Sequence, residues 1–133
     1  MIFNQAKSIY KTLAKANGFY IRPWLHNSDD MEINAYNHHL WITLNRGACE
    51  AYNVDEMAFM LAHELGHFKF RHIFKLGNAY DREYEADRLA AQYMANAGFN
   101  TLSGIKILLK KNAPATGTHP ASLDRYNALK YGI

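Results

Sequence analysis

Only one cysteine, Cys49, stands in the chain, so no intramolecular disulfide can form. That favours a reducing compartment, and a buried thiol is the plain reading of Cys49. No apolar run approaches the ~18 residues that a membrane span needs. The first residues, Met1-Ile2-Phe3-Asn4-Gln5-Ala6-Lys7, form no apolar signal region, so no secretory leader is visible. From these absences a soluble, cytoplasmic protein is expected. No repeat, low-complexity tract or Pro/Ser-rich linker divides the sequence, and 133 residues fit one domain, 1–133. Charge of one sign is also lacking. Fifteen Lys and Arg stand against twelve Asp and Glu, giving a net charge of +3. The cations are scattered, with Lys110-Lys111 as the densest run, so they read as solvated surface and no nucleic-acid partner is expected.

What is present is apolar and aromatic. Hydrophobic residues make up 49% of the chain, with nine Tyr and seven Phe, enough for a real core. Ile2, Ala6, Ile9, Leu13 and Ala16 recur at helical spacing and predict a helix over 2–17, closed by Gly18. Residues 19–25 read as a strand that Pro23 makes irregular or places near an edge. Residues 26–31 are polar and turn-like. Two strands are predicted at 32–37 and 40–45, joined near Asn37-His38-His39, with Leu40, Ile42 and Leu44 alternating with Trp41, Thr43 and Asn45.

The strongest helix is predicted over 54–72. Asn53 can cap it and Glu56 stands three residues on, as in a capping box. The run Met57-Ala58-Phe59-Met60-Leu61-Ala62 is apolar on nearly every side, which places this helix at the protein centre. Further helices are predicted over 80–97, with Gly98 as the stop, and over 101–111. A last helix is expected after His119-Pro120, with proline in its first turn. The pattern is α+β: a few strands, an N-terminal helix, a central helix and C-terminal helices.

The chemistry lies in His63-Glu64-Leu65-Gly66-His67. Two histidines four apart on a helix share a face one turn apart and can bind one Zn2+ at about 2.0–2.1 Å each. Glu64 sits beside that face, offset from joining both histidines as a ligand, and is placed to take a proton from a zinc-bound water. The alternative is a helix with two satisfied core histidines and a surface glutamate. Against it, the surrounding helix is almost wholly apolar, so Glu64 would be a costly buried charge. Gly66 within a central helix costs about 1 kcal/mol against Ala, which suits close approach of another element or a ligand.

A catalytic zinc needs a third protein ligand. Metzincins supply a histidine six residues after the second, beyond a turning glycine; here those positions hold Ile73 and Phe70. His72 lies about 140° around the helix from His67 and reads as a capping or structural residue. The better candidate is Glu83. Glu83 and Asp87 are four apart on the next helix, while Glu85 points nearly the opposite way. Asp87 is placed to bond the outer nitrogen of a ligand histidine. The alternative is an exposed acidic helix paired with Arg82 and Arg88.

These stretches, in order, resemble a known family. Asn34-Ala35-Tyr36 resembles its strand before the hairpin turn. Val54-Asp55-Glu56 through His63-Glu64-Leu65-Gly66-His67, ending at His72, resembles its metal helix. Glu83-Tyr84-Glu85-Ala86-Asp87-Arg88-Leu89-Ala90 resembles its glutamate helix, and Ala97-Gly98-Phe99-Asn100 its next turn. Thr118-His119-Pro120, with Arg125 five residues after Pro120, resembles its C-terminal His-Pro motif. The chain thus resembles, over about residues 33–131, the gluzincin metallopeptidases related to the heat-shock protease HtpX and the CAAX prenyl proteases, whose compact soluble forms are called minigluzincins.

The resemblance implies His63, His67 and Glu83 as zinc ligands, Glu64 as general base, and a compact zincin-like α+β domain with a small mixed sheet whose edge strand lines the cleft beside the metal helix and the glutamate helix. The implied reaction is zinc-dependent hydrolysis of a protein or peptide substrate. His119 is the first candidate for stabilising the oxyanion, with Arg125 and Tyr126 behind it. The strand at 32–37 is the expected edge for an extended substrate, with His38, His39 and Trp41 near the cleft; Trp41 as a packing residue and the histidines as an exposed turn is the alternative. Many family members carry transmembrane helices and this chain has none. Two other readings stand beside this one: a regulatory peptidase of the ImmA/IrrE type, which lacks the His-Pro feature, and a latent or non-catalytic zinc-binding module.

Overall fold

Helix α1 (Phe3–Ala16) buries Ala6, Ile9 and Leu13 as the helical spacing predicts, together with Tyr10 and Ala14, while Ile2 and Ala16 at its two ends are exposed. Gly18 then turns the chain with φ +73°, where a side chain would be strained. A computed structural model describes residues 1–38, 40–73 and 78–132, with residues 71–73 described by backbone alone. His39 and the side chain of His72 therefore lie outside the described residues, as does the side chain of Ile73.

The first strand is displaced from its predicted place. Strand β1 is Trp24–Ser28, whereas the composition predicts a strand over 19–25 and a turn over 26–31. The reason is local hydrogen bonding. Phe19 N–H donates to Ala14 O, Tyr20 N–H to Gly18 O and the Arg22 guanidinium to Phe19 O, so these groups are spent in a turn. Pro23 has no N–H, and the first ladder bond runs from Trp24 N–H to Leu40 O. The expectation that Pro23 lies near an edge agrees with the sheet order β1-β3-β2.

Strands β2 (Ala35–Asn37) and β3 (Trp41–Asn45) form the predicted antiparallel hairpin, and β1 pairs parallel with β3. Ile42 and Leu44 face the core while Leu40 is exposed. A short helix α2 (Arg46–Ala51) follows, in a stretch whose sequence pattern announces no element of its own.

Helix α3 (Val54–Ile73) occupies the centre and packs on α1, on α4 (Ala79–Ala97) and on α5 (Thr101–Ile105). Its capping box forms as predicted: Glu56 N–H donates to Asn53 Oδ1 at 2.9 Å, and Asn53 N–H to Glu56 Oε1 at 2.9 Å. The buried Glu56 carboxylate also accepts from Lys110 Nζ at 2.6 Å. Met57 to Ala62 and Leu65 are all buried. Helix α4 ends at Gly98, φ +84°, as expected.

Two expectations for the C-terminal region are corrected. The helix expected over 101–111 is broken at Lys106 into α5 and α6 (Ile107–Lys111). Ile105 and Ile107 are both buried, and in one continuous helix they would face nearly opposite ways. The break turns both inward. Pro120 is not in the first turn of the last helix, α7, which runs Ser122–Lys130. Ser122 N–H donates to Ala113 O, and Ser122 Oγ accepts from Ala113 N–H. These bonds hold the preceding residues extended and delay the helix by two positions.

At Gly66 the backbone of α4 comes close to α3. A Cβ there would lie 3.1 Å from Ala86 O and 3.2 Å from Ala86 Cα. Gly66→Ala is therefore expected to push α4 outward and cost about 1–3 kcal/mol, read as a lowered midpoint in thermal unfolding. An unchanged or raised midpoint would show that the close approach is not needed.

Candidate metal centre

The contact between α3 and α4 brings four predicted side chains together. His63 Nε2 lies 3.1 Å from Glu83 Oε2, and His67 Nε2 lies 3.1 Å from Glu83 Oε1. On the far side of the His63 ring, Nδ1 lies 2.8 Å from Asp87 Oδ1. An ionised Asp87 can only accept, so Nδ1 carries a proton, and Nε2 is the nitrogen turned toward Glu83. The two imidazoles meet edge to face, with centroids 4.4 Å apart. Donor atoms of His63, His67 and Glu83 all lie within 4.8 Å of one another.

Arg125 closes this network from α7. Its Nε donates to Asp87 Oδ2 at 2.8 Å and its Nη2 to Asp87 Oδ1 at 2.7 Å, a bidentate pair. The same Nη2 lies 3.8 Å from Glu83 Oε2. Arg125 is thus a clamp on Asp87 as well as a group at the cleft.

Burial alone would raise both carboxyl groups, and their partners reverse that. The nearby imidazoles of His63 and His67 hold Glu83 far below the ordinary carboxylate range. Arg125 and His63 hold Asp87 low. For His63 itself burial disfavours the charged form, but Asp87 and Glu83 outweigh it and raise the metal-free group from 6.5 to about 9. Protonated His63 therefore stabilises the metal-free fold fully below about pH 6.5, and that stability is lost as pH rises through about 9. A metal must displace this proton. Zinc uptake at pH 7 to 8 is expected to release about one proton from His63, checked by calorimetry in buffers of different ionisation heat. Buffer-independent heats would contradict it.

The residues fit a divalent metal on the geometry present. Two imidazole nitrogens and one carboxylate form the donor set of one class of catalytic zinc sites. Ligand atoms about 2.0–2.1 Å from a tetrahedral ion stand about 3.3 Å apart, close to the 3.1 Å separations here. Glu83 Oε2 is buried and has no aligned hydrogen-bond donor although His63 Nε2 is near, an arrangement that a shared cation would satisfy.

A cavity of about 470 Å3 opens over these donors. Glu64 lines it, and its Oε2 is buried with no hydrogen-bond partner. Asn34 to Asn37, from the edge strand β2 and the residue before it, form another wall. His119 lines the cavity too. It sits in a tight turn, with its N–H on Thr116 Oγ1 at 3.0 Å and its Nε2 3.4 Å from Glu83 Oε1. It caps no helix.

Other candidates are placed elsewhere. Tyr126 does not line the cavity; it packs on the core, with Lys130 Nζ 5.6 Å from its ring centroid. Its neighbour Arg125 takes the inward position, and adjacent helical residues point about 100° apart. Trp41 and His38 stack on each other at 5.1 Å and are not cavity-lining residues. Glu85 turns away and pairs with Arg88. The run Lys110-Lys111 is not simply solvated: Lys110 pairs with Glu56, and Lys111 lines the cavity. In the sequence Lys111 stands only at the end of a predicted helix, and nothing there signals a cleft.

The sequence pattern of Peptidase family M48 matches residues 3–80 and 73–133. No match was found among curated proteins or among solved structures.

Proposed function

The chain belongs to peptidase family M48, a family of metallopeptidases, and from that premise we propose that it is a zinc endopeptidase of the gluzincin type. The observation that carries this reading is the convergence of His63, His67 and Glu83 donors within 4.8 Å beside an unpartnered Glu64 carboxylate oxygen in one cavity. Domain 1–133 would hold one Zn2+ on His63, His67 and Glu83. Zinc there would supply a Lewis acid that lowers the pKa of water and polarises the scissile carbonyl.

The remaining roles fall to the chain. Glu64 takes the proton of the attacking water on its free oxygen and delivers it to the leaving amine. Asp87 fixes the tautomer and orientation of His63, and Arg125 holds Asp87. Strand β2 is an edge, so an extended substrate can add to it by main-chain pairing, which gives weak sequence selectivity. His119 reaches the cavity from its exposed turn and donates to the developing oxyanion. The Thr118-His119-Pro120 turn at the cleft supports placement in the HtpX-like branch, as a compact minigluzincin. A cytoplasmic location with Cys49 as a reduced, buried thiol completes the reading. Among the described residues no helix is long and apolar enough to cross a membrane.

The test is hydrolysis of an unfolded protein by the purified chain with its zinc measured. Cleavage that a chelator abolishes and added zinc restores is expected. One zinc per chain with no cleavage would instead leave a metal-binding module. His119→Ala is expected to lower kcat about 10²-fold with zinc content unchanged. Unaltered turnover would remove His119 from the mechanism.

A further inference from the structure

Residues 1–28 contain Lys7, Lys11, Lys15 and Arg22 and no Asp or Glu. The other 105 residues hold eleven Lys and Arg against twelve Asp and Glu, so the chain's net positive charge resides in this segment. Lysines that look scattered in the sequence are aligned by the fold. Lys7, Lys11 and Lys15 are four apart on α1 and all exposed, so they form one stripe.

Beside that stripe lies a patch of large apolar side chains turned to solvent. Tyr20 is 92% exposed, Ile21 83% and Trp24 81%. Tyr20, Ile21, Trp24 and Lys7 line the same shallow groove. Trp24 is in parallel register with Trp41, so the exposed Trp41 lies on the same face of the sheet and joins the patch. The exposure is built in. Buried Phe19 anchors one side of the loop, and the Tyr10 hydroxyl donates to Pro23 O at 2.7 Å on the other. The loop therefore holds Tyr20 and Ile21 outward.

We infer that this tip, residues 20–24 with Trp41, docks on an anionic membrane surface beside the lysine stripe of α1. The chemistry selects that occupant. Trp and Tyr settle at the headgroup level, Ile enters the acyl boundary, and lysines face anionic headgroups. A single-stranded nucleic acid would use the cations and aromatic faces but gains no stacking from Ile21. A positive segment free of acidic residues also repels a second copy of itself. The docking is peripheral and independent of the hydrolytic chemistry.

The intact 133-residue chain is tested by co-sedimentation with vesicles of phosphatidylcholine and phosphatidylglycerol at about 7:3, and with phosphatidylcholine alone. Trp24 and Trp41 are the only two tryptophans, so a blue shift of emission reports directly on the patch. Binding at least about tenfold stronger to the anionic vesicles is expected, falling with salt. Tyr20→Ser/Ile21→Ser/Trp24→Ser is expected to weaken sedimentation at least about tenfold. Lys7→Gln/Lys11→Gln/Lys15→Gln is expected to weaken it by about fivefold per lysine at low salt. The lysine variant changes only exposed helix positions, so it decides the matter if the loop variant unfolds. No sedimentation, equal binding to both vesicles, or binding untouched by the lysine changes overturns the inference. So does a blue shift produced by a single-stranded oligonucleotide, or by raised protein concentration, when vesicles give none.

Discussion

Glu64→Gln is expected to lower kcat by about 10²–10⁴-fold while zinc content stays at one per chain. The change removes a charge and a proton acceptor but keeps the shape. Glu64 is not among the three clustered donors, so the metal should remain. Its Oε2 has no hydrogen-bond partner, so no structural bond of that atom is lost and the fold should hold. The pattern distinguishes a proton carrier from a ligand. Loss of zinc in Glu64→Gln would make Glu64 a ligand, and unchanged turnover would remove it as the base. Activity and metal content measured on the same preparation separate these outcomes.

The second large effect concerns the clamp behind the metal. Asp87→Ala is expected to destabilise the fold by about 3–5 kcal/mol, because it leaves the Arg125 guanidinium buried without its bidentate partner. It is also expected to weaken zinc binding about 10–100-fold, because His63 loses the acceptor that fixes its Nδ1 proton. The two losses can be separated. Adding Arg125→Met to Asp87→Ala removes the stranded charge and should restore much of the stability, read from the urea midpoint. It should restore none of the zinc affinity. If the double change rescued both, Asp87 would act on zinc only through general stability.

How much of this is legible in the sequence depends on the range of each interaction. The α3 capping box is readable because Asn53 and Glu56 are three residues apart. The His63, His67 pair is readable because helical spacing puts the two on one face. Glu83 and Asp87 are readable as a pair sharing a face of one helix. Their distance from the histidines is not, since it depends on Gly66 admitting α4 at 3.1 Å from its absent Cβ. Arg125 is readable in the sequence only as a candidate behind His119 for stabilising the oxyanion. Its bond to Asp87 joins residues 38 apart, and no local pattern encodes that.

The misplaced elements have the same origin. Phe19 to Leu25 has strand composition, but turn bonds back to α1 and the missing N–H of Pro23 start β1 at Trp24. The φ of a proline suits a first helical turn, yet Ser122 bonds to Ala113 and moves the start of α7 past Pro120. The break at Lys106 is decided by tertiary burial of both Ile105 and Ile107, which overrides helix propensity.

The most direct measurement is equilibrium zinc binding by the dialysed wild-type chain beside Glu83→Ala. One zinc per wild-type chain, with affinity reduced at least about 10²-fold in Glu83→Ala, is the predicted result. A wild-type chain that takes up no zinc, or a Glu83→Ala variant that binds it equally well, would contradict the account.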